Sequence, residues 1–144
     1  MLGGTAALLV ELIPTRSPSQ STTPTRYAEA LAGCTVTDGD TIRCGGERIR
    51  LLGIDAPELP GHCRPGRDCV EGDPYASSSN LAAGMTGQLT IERAGQDHYG
   101  RTLAVVAGDQ GDLSCWQLKH EQVVYKADWD DGFRVTRACP GAVF

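Results

Sequence analysis

Residues 34–44 read CTVTDGDTIRC. Val36 and Ile42 flank the turn sequence Asp38-Gly39-Asp40, with a cysteine at each end, which is the pattern of a β-hairpin. If positions pair so that their numbers sum to 78, Val36 faces Ile42 and Cys34 faces Cys44. A tighter two-residue turn shifts the register by one and spoils both matches. Gly39 is expected to supply a positive φ at the turn. Working outward, Gly45-Gly46 turns the chain into ERIRLLGID (47–55), where Ile49 and Leu51 alternate with Arg48 and Arg50 as in a half-buried strand. Gly53 is placed to bend it, because Leu52 and Ile54 put apolar residues on the other parity.

Farther along, residues 59–73 are a loop by composition. Asp73-Pro74 reads as an N-cap followed by proline at the first helical position, opening a helix to about Met85. QLTIERA (88–94) and TLAVVA (102–107) read as strands on either side of a turn at 95–101. Asp112 is expected to cap a second helix over roughly 113–124. A turn at DWDDG (128–132) and a short tail to the C-terminus follow. Three strands, a helix, two strands and a helix predict a mainly β α+β fold: a small barrel carrying helices, of which the OB type is the commonest plan.

The chain has 144 residues, 40% of them hydrophobic and 22% charged, with a formal net charge of −5. That length suits one domain with a single core. The sequence pI of about 5.1 argues against a broad basic face for nucleic acid but leaves room for a local basic pocket. Lys119 and Lys126 are the only lysines, so the basic residues are mostly arginines, suited to two-pronged contact with phosphate. The apolar run MLGGTAALLVELIP (1–14) lacks a basic start and is interrupted by Glu11. It reads as a clipped or mis-started secretion signal, too short to span a membrane. TRSPSQSTTPTR (15–26) reads as a disordered linker. Residues 1–29 are therefore set apart as leader and linker, and 30–144 as the folded domain.

Six cysteines in so short a chain point to an oxidising compartment. Zinc is the competing explanation, but there is no Cys-x-x-Cys pair. Fifteen pairings are possible. The hairpin register selects Cys34–Cys44 and loop proximity selects Cys63–Cys69. That leaves Cys115–Cys139, which would tie the tail to the second helix. These bonds imply export, to a bacterial periplasm or the medium.

Residues 50–58, RLLGIDAPE, bring Arg50, Asp55 and Glu58 to the exit of an apolar strand. Taken singly, Asp38 and Asp40 are explained by turn chemistry, and Arg50 and Arg101 by surface ion pairs. As a set, two acids for a hard cation, two arginines for an anion and a spare acid to accept a proton are what metal-assisted phosphodiester cleavage requires.

Three blocks, DGDTIR (38–43), RIRLLGIDAPE (48–58) and DHYGRTLAVV (97–106), resemble the signature blocks of staphylococcal nuclease-like proteins, the thermonuclease family, over about Cys34–Ala127. The resemblance implies a five-stranded OB-fold barrel with two main helices and a Ca²⁺-dependent nuclease acting on DNA, RNA or both. It implies Asp40, Asp55 and the carbonyl of Ala56 as calcium ligands, Arg50 and Arg101 as the phosphate clamp, Glu58 as general base, and Tyr99 on the phosphate or beside the nucleotide. The expected form is a monomer with no protein partner and no membrane span. Departures from the family pattern are His98 where lysine is common, Glu121 where glycine is usual, and a short tail in place of a C-terminal helix. The cysteines point to a secreted subgroup. Tyr125 and Trp129 are candidate base-stacking residues, with core packing the simpler role for Trp129. A non-catalytic nucleic-acid or protein-binding module on the same barrel is the alternative, and a disulfide-stapled extracellular structural domain a third reading.

Overall fold

The computed structural model describes residues 3–12 and 28–143; the expected linker at 15–26 lies outside them. Residues 3–12 have no helix or strand, and Leu8, Leu9, Val10 and Leu12 are exposed. Among the described residues no helix is long and apolar enough to cross a membrane.

The domain is α+β and mainly strand. Strands β1 (Glu29–Leu31), β2 (Cys34–Asp38), β3 (Thr41–Cys44) and β4 (Glu47–Leu51) come first, followed by the short β5 (Ile54–Asp55). Helix α1 (Pro74–Gly84), β6 (Leu89–Gln96), β7 (Thr102–Gly108), β8 (Gly111–Asp112), α2 (Leu113–Lys119), β9 (Val124–Tyr125) and α3 (Arg134–Ala138) complete it. The main sheet runs β1-β6-β7-β4-β3-β2, with β8 added to β7. Its two ends, β1 and β2, are consecutive in the chain with only Ala32 and Gly33 between them, so the sheet curls round on itself. Strand β4 runs parallel to β7 and the other pairs of the main sheet are antiparallel. Ile42, Ile49, Ile54, Leu81 and Leu113 are fully buried at the centre.

The hairpin has the expected register, Cys34 opposite Cys44 and Val36 opposite Ile42, and it nevertheless closes tightly, Asp38 opposite Thr41. A bulge at Thr37 absorbs the one-residue shift, so the two registers coexist. The reason given for Gly39 is corrected, because it is not among the positive-φ glycines. Glycine is required there by close approach: a Cβ would lie 1.9 Å from Ser77 Oγ and 2.8 Å from the Ala56 methyl. Helix α1 starts as expected, with the Asp73 carboxylate accepting from the N–H groups of Tyr75 and Ala76 and proline in the first turn.

The second helix ends at Lys119, five residues earlier than the sequence suggests. Glu121 adopts φ +56°, the Gln122 N–H bonds the Gln117 carbonyl and the Glu121 N–H bonds the Leu118 carbonyl. This is a Schellman stop with glutamate where glycine is the easier residue, at a cost of about 1 kcal/mol. The freed segment becomes β9, which pairs with β5. The tail is also corrected: it contains a short helix, α3. Asp130, almost fully buried, accepts from the N–H groups of Val135 and Thr136 and from the Tyr125 hydroxyl, and so fixes the start of that helix.

All three expected disulfides are present: Cys34–Cys44, Cys63–Cys69 and Cys115–Cys139. They point to an oxidising compartment.

Candidate active site

A cavity of about 770 Å³ opens where the first hairpin, the exit of β4, the loop after β5, the β6–β7 turn and the segment after β9 converge. Asp40, Arg50, Asp55, Glu58, Tyr99 and Arg101 all line it. Residues separated by up to 61 positions in the sequence thus share one wall, and the fold explains how each is placed.

Asp40 sits in the hairpin turn. That turn is pinned from below by Gln117, fully buried, whose amide donates to the carbonyls of Gly39 (2.7 Å) and Ser77 (2.9 Å). One Asp40 oxygen accepts from the Thr41 hydroxyl at 2.9 Å, and the other from the Ala56 N–H at 2.8 Å. Ala56, expected only as a carbonyl ligand, therefore also ties β5 to the turn through its N–H. Asp55 is 2% exposed and is held by the pairing of β5 with β9. One nitrogen of the Arg50 guanidinium lies 3.2 Å from Asp40 and 3.6 Å from Asp55, while the other donates to the Leu51 carbonyl at 3.0 Å. Two nearly buried carboxylates thus converge on one positive nitrogen. Hard oxygen donors so placed suit Ca²⁺ or Mg²⁺. Among the described residues there is no cluster of three or more His, Cys, Asp or Glu side chains able to hold a metal, so any cation here draws the rest of its shell from carbonyls, water or substrate.

Arg101 is positioned by Asp97, which accepts from its backbone N–H at 2.9 Å and from Nε at 2.7 Å. Burial works against the Asp97 charge, but these bonds and the guanidinium hold its carboxyl below the usual range. Arg101 lies 5.4 Å from the centre of the Tyr99 ring. Tyr99 is 41% exposed, with its hydroxyl accepting from Arg64 and its carbonyl from Arg48.

Sequence reasoning missed Arg64 and Arg67. Both lie in the ring closed by Cys63–Cys69, and both enter the cavity. Arg67 donates to both Asp55 oxygens, at 3.1 and 3.3 Å, and to Glu58 at 2.7 Å. Burial opposes its charge, yet Asp55 and Glu58 hold its pKa above the usual arginine value. The signal was present in the sequence as two cations among the five residues between Cys63 and Cys69, just after the acids. Trp129, assigned to the core, is instead 43% exposed, lines the cavity and lies 5.3 Å from the Arg50 guanidinium. Its carbonyl accepts from the Gly53 N–H at 2.8 Å, which sets it against the β4–β5 bend. Tyr125 does not face the cavity; its hydroxyl is engaged by Asp130 and Thr136.

Asp38 keeps its turn role, accepting from the Asp40 N–H at 3.2 Å. Burial, with the Asp40 charge next to it, raises its pKa to about 7. The folded protein therefore holds a proton that the unfolded chain releases near pH 4. The associated stability is complete below that pH and is lost as pH rises through about 7. Glu47 is lowered from 4.5 to about 2 by its bonds to Arg93, against burial, and by Thr102, so its contribution is complete above about 4.5 and is lost as pH falls from there through about 2. Thermal melts in chelator should show stability declining from about pH 4 to pH 7, and Asp38→Asn should flatten that decline. A decline of equal slope in the variant would rule Asp38 out as its source.

No protein-family model matches the chain. The chain is 34% identical over 101 residues to the succinoglycan biosynthesis protein ExoI of Rhizobium meliloti (strain 1021). That alignment takes in 67% of this chain and 53% of the relative, so the chain spans about half the length of the curated protein it matches.

Proposed function

We propose that this protein is a calcium-dependent nuclease of the staphylococcal nuclease-like kind, hydrolysing phosphodiester bonds of DNA, RNA or both. The single observation that carries the reading is the gathering of Asp40, Arg50, Asp55, Glu58, Tyr99 and Arg101 on one cavity. The curled sheet, with parallel β4 and β7 and its ends joined through Gly33, supports reading the core as an OB-type barrel of five principal strands, β1 and β2 counting as one bent strand.

Asp40 and Asp55, with the carbonyl of Ala56, would hold the calcium ion. Bound there, it would supply fixed positive charge to a phosphate oxygen as the transition state gains charge. Arg50 and Arg101 orient the same phosphate from the cavity wall and stabilise that charge. Glu58, half-buried beside Asp55, accepts a proton from the attacking water. Tyr99 hydrogen-bonds the phosphate, and the exposed Trp129 offers a face on which a base can stack. A monomer exported to the periplasm or medium fits the disulfides.

The relative's name speaks of succinoglycan biosynthesis, so the assay includes that polysaccharide. Plasmid DNA, RNA and succinoglycan are each incubated with the protein in Ca²⁺ and in chelator. The expected result is cleavage of DNA or RNA in Ca²⁺ alone, with Glu58→Gln slowing turnover and leaving nucleotide affinity intact. Binding of DNA or RNA without cleavage under all conditions would replace the enzyme with a binding module. Cleavage of succinoglycan alone would assign a different substrate.

A further inference from the structure

Two arginines of the protein, Arg50 and Arg67, reach the acids of this site. Arg50 reaches Asp40 and Asp55 from β4, and its stem is buried. Arg67 is different. It comes from a loop, its side chain is 38% exposed, and its guanidinium spans Asp55 and Glu58. The Cys63–Cys69 bond joins residues only six positions apart, which restricts how far Arg67 can stray from these acids. Arg64, in the same ring, faces away from them onto the Tyr99 ring, its guanidinium carbon 4.7 Å from the ring centre. The loop therefore presents one cation to the carboxylates and another to the aromatic wall.

We propose that Arg67 is a tethered counter-cation that competes with a free divalent cation for Asp55 and leaves Asp55 and Glu58 when the cation binds. This rests on the reading of Asp55 as a metal ligand. The reasoning is one of charge and access. Asp55 is nearly sealed from solvent, so its charge requires neutralisation at all times. Arg67 supplies part of that neutralisation before any ion arrives. An incoming cation takes over the Asp55 oxygens, and the two positive charges cannot share them without repulsion. Because Arg67 is half-exposed, its head can turn into water at little desolvation cost, whereas the buried Arg50 cannot. The same displacement frees Glu58 from the 2.7 Å ion pair that competes with proton acceptance. The loop thus couples cation arrival to release of the spare carboxylate, and the disulfide sets the effective concentration of the competing guanidinium.

Calorimetric titration of Ca²⁺ into the full-length oxidised protein tests this, with Arg67→Gln and Arg64→Gln compared with the parent. An opposite charge within about 4–6 Å changes a carboxylate's affinity for a proton by 10- to 1,000-fold, and a half-exposed partner belongs at the low end. Arg67→Gln is therefore expected to tighten Ca²⁺ binding about tenfold, while Arg64→Gln leaves it within about twofold of the parent. Equal affinity in Arg67→Gln and the parent, with Ca²⁺-dependent cleavage intact, overturns the competition and leaves the nuclease reading standing. An equal gain in Arg64→Gln overturns it too, since the effect would then be loop charge in general. Absence of Ca²⁺ binding in all three proteins, together with absence of cleavage, overturns the metal reading and this proposal with it.

Discussion

Arg101→Lys is expected to lower turnover by about 10²–10³-fold, the size of effect seen when one preorganised charge donor is removed from a transition state. The substitution keeps the positive charge and changes its geometry. In the structure Asp97 takes the backbone N–H and Nε of Arg101, and among the described residues no hydrogen bond involves the two terminal guanidinium nitrogens. A planar fork anchored at Nε and open at its far end is suited to gripping two phosphate oxygens at once, and a lysine ammonium is not. Arg101 is also only partly buried, so the loss of activity should come with little change in melting temperature. That combination distinguishes it from Arg50→Lys, which removes a nitrogen shared by two buried carboxylates and should lower both activity and stability. Single-turnover cleavage rates at saturating Ca²⁺, read beside thermal melts, provide the check. A rate for Arg101→Lys within tenfold of the parent would overturn the proposed role of Arg101 in gripping the phosphate.

What could be read in advance divides along physical lines. The Cys34–Cys44 hairpin was legible because side-chain alternation in a strand has period two and only one register puts Val36 on Ile42. The start of α1 was legible because Asp73-Pro74 carries both an acceptor for free N–H groups and a fixed φ. Two disulfides followed from register and proximity, and the third, Cys115–Cys139, by elimination. The end of α2 was not legible: apolar residues continue through Val124, and nothing local announces that Glu121 takes a left-handed conformation. It does so because residues 124–125 are claimed by β5, a tertiary demand. Helix α3 was hidden for a different reason: its capping carboxylate, Asp130, lies four residues before the helix and Phe133 just before it sits at φ +61°. Gly39 shows the right residue assigned the wrong cause: the turn needs space beneath Ser77 more than it needs an unusual φ.

In the candidate site, Asp40, Arg50, Asp55 and Arg101, at or beside the ends of β3, β4, β5 and β7, could be named because strand ends are where a sheet presents functional groups. The arginines of the stapled loop could not be placed, because a loop's composition says nothing about which way it folds over. Trp129 was hard to place for a related reason. Its position depends on a backbone bond to Gly53, 76 residues earlier in the chain, which no local pattern encodes.

The same connection makes the C-terminal disulfide the most consequential of the three. Cys115–Cys139 spans a sequence separation of 24, against 10 for Cys34–Cys44 and 6 for Cys63–Cys69. By chain entropy a loop of that length stabilises by roughly 3–4 kcal/mol, more than either of the others. Both sulfurs are also buried, so Cys115→Ala with Cys139→Ala loses packing as well. The double variant should melt on the order of 10 °C lower, and the Cys63→Ala, Cys69→Ala pair should lose distinctly less. Asp130 still caps α3 without the bond, so the tail should hold its place at low temperature and release it early on heating. Because Trp129 and the Tyr125 strand are continuous with that tail, and because β9 holds Asp55, activity should fail at the lower temperature together with the fold. Melting curves and cleavage rates measured over the same temperatures decide this. An equal loss of stability in the two double variants would mean that the tail is anchored chiefly by Asp130 and its hydrogen bonds, with the disulfide secondary.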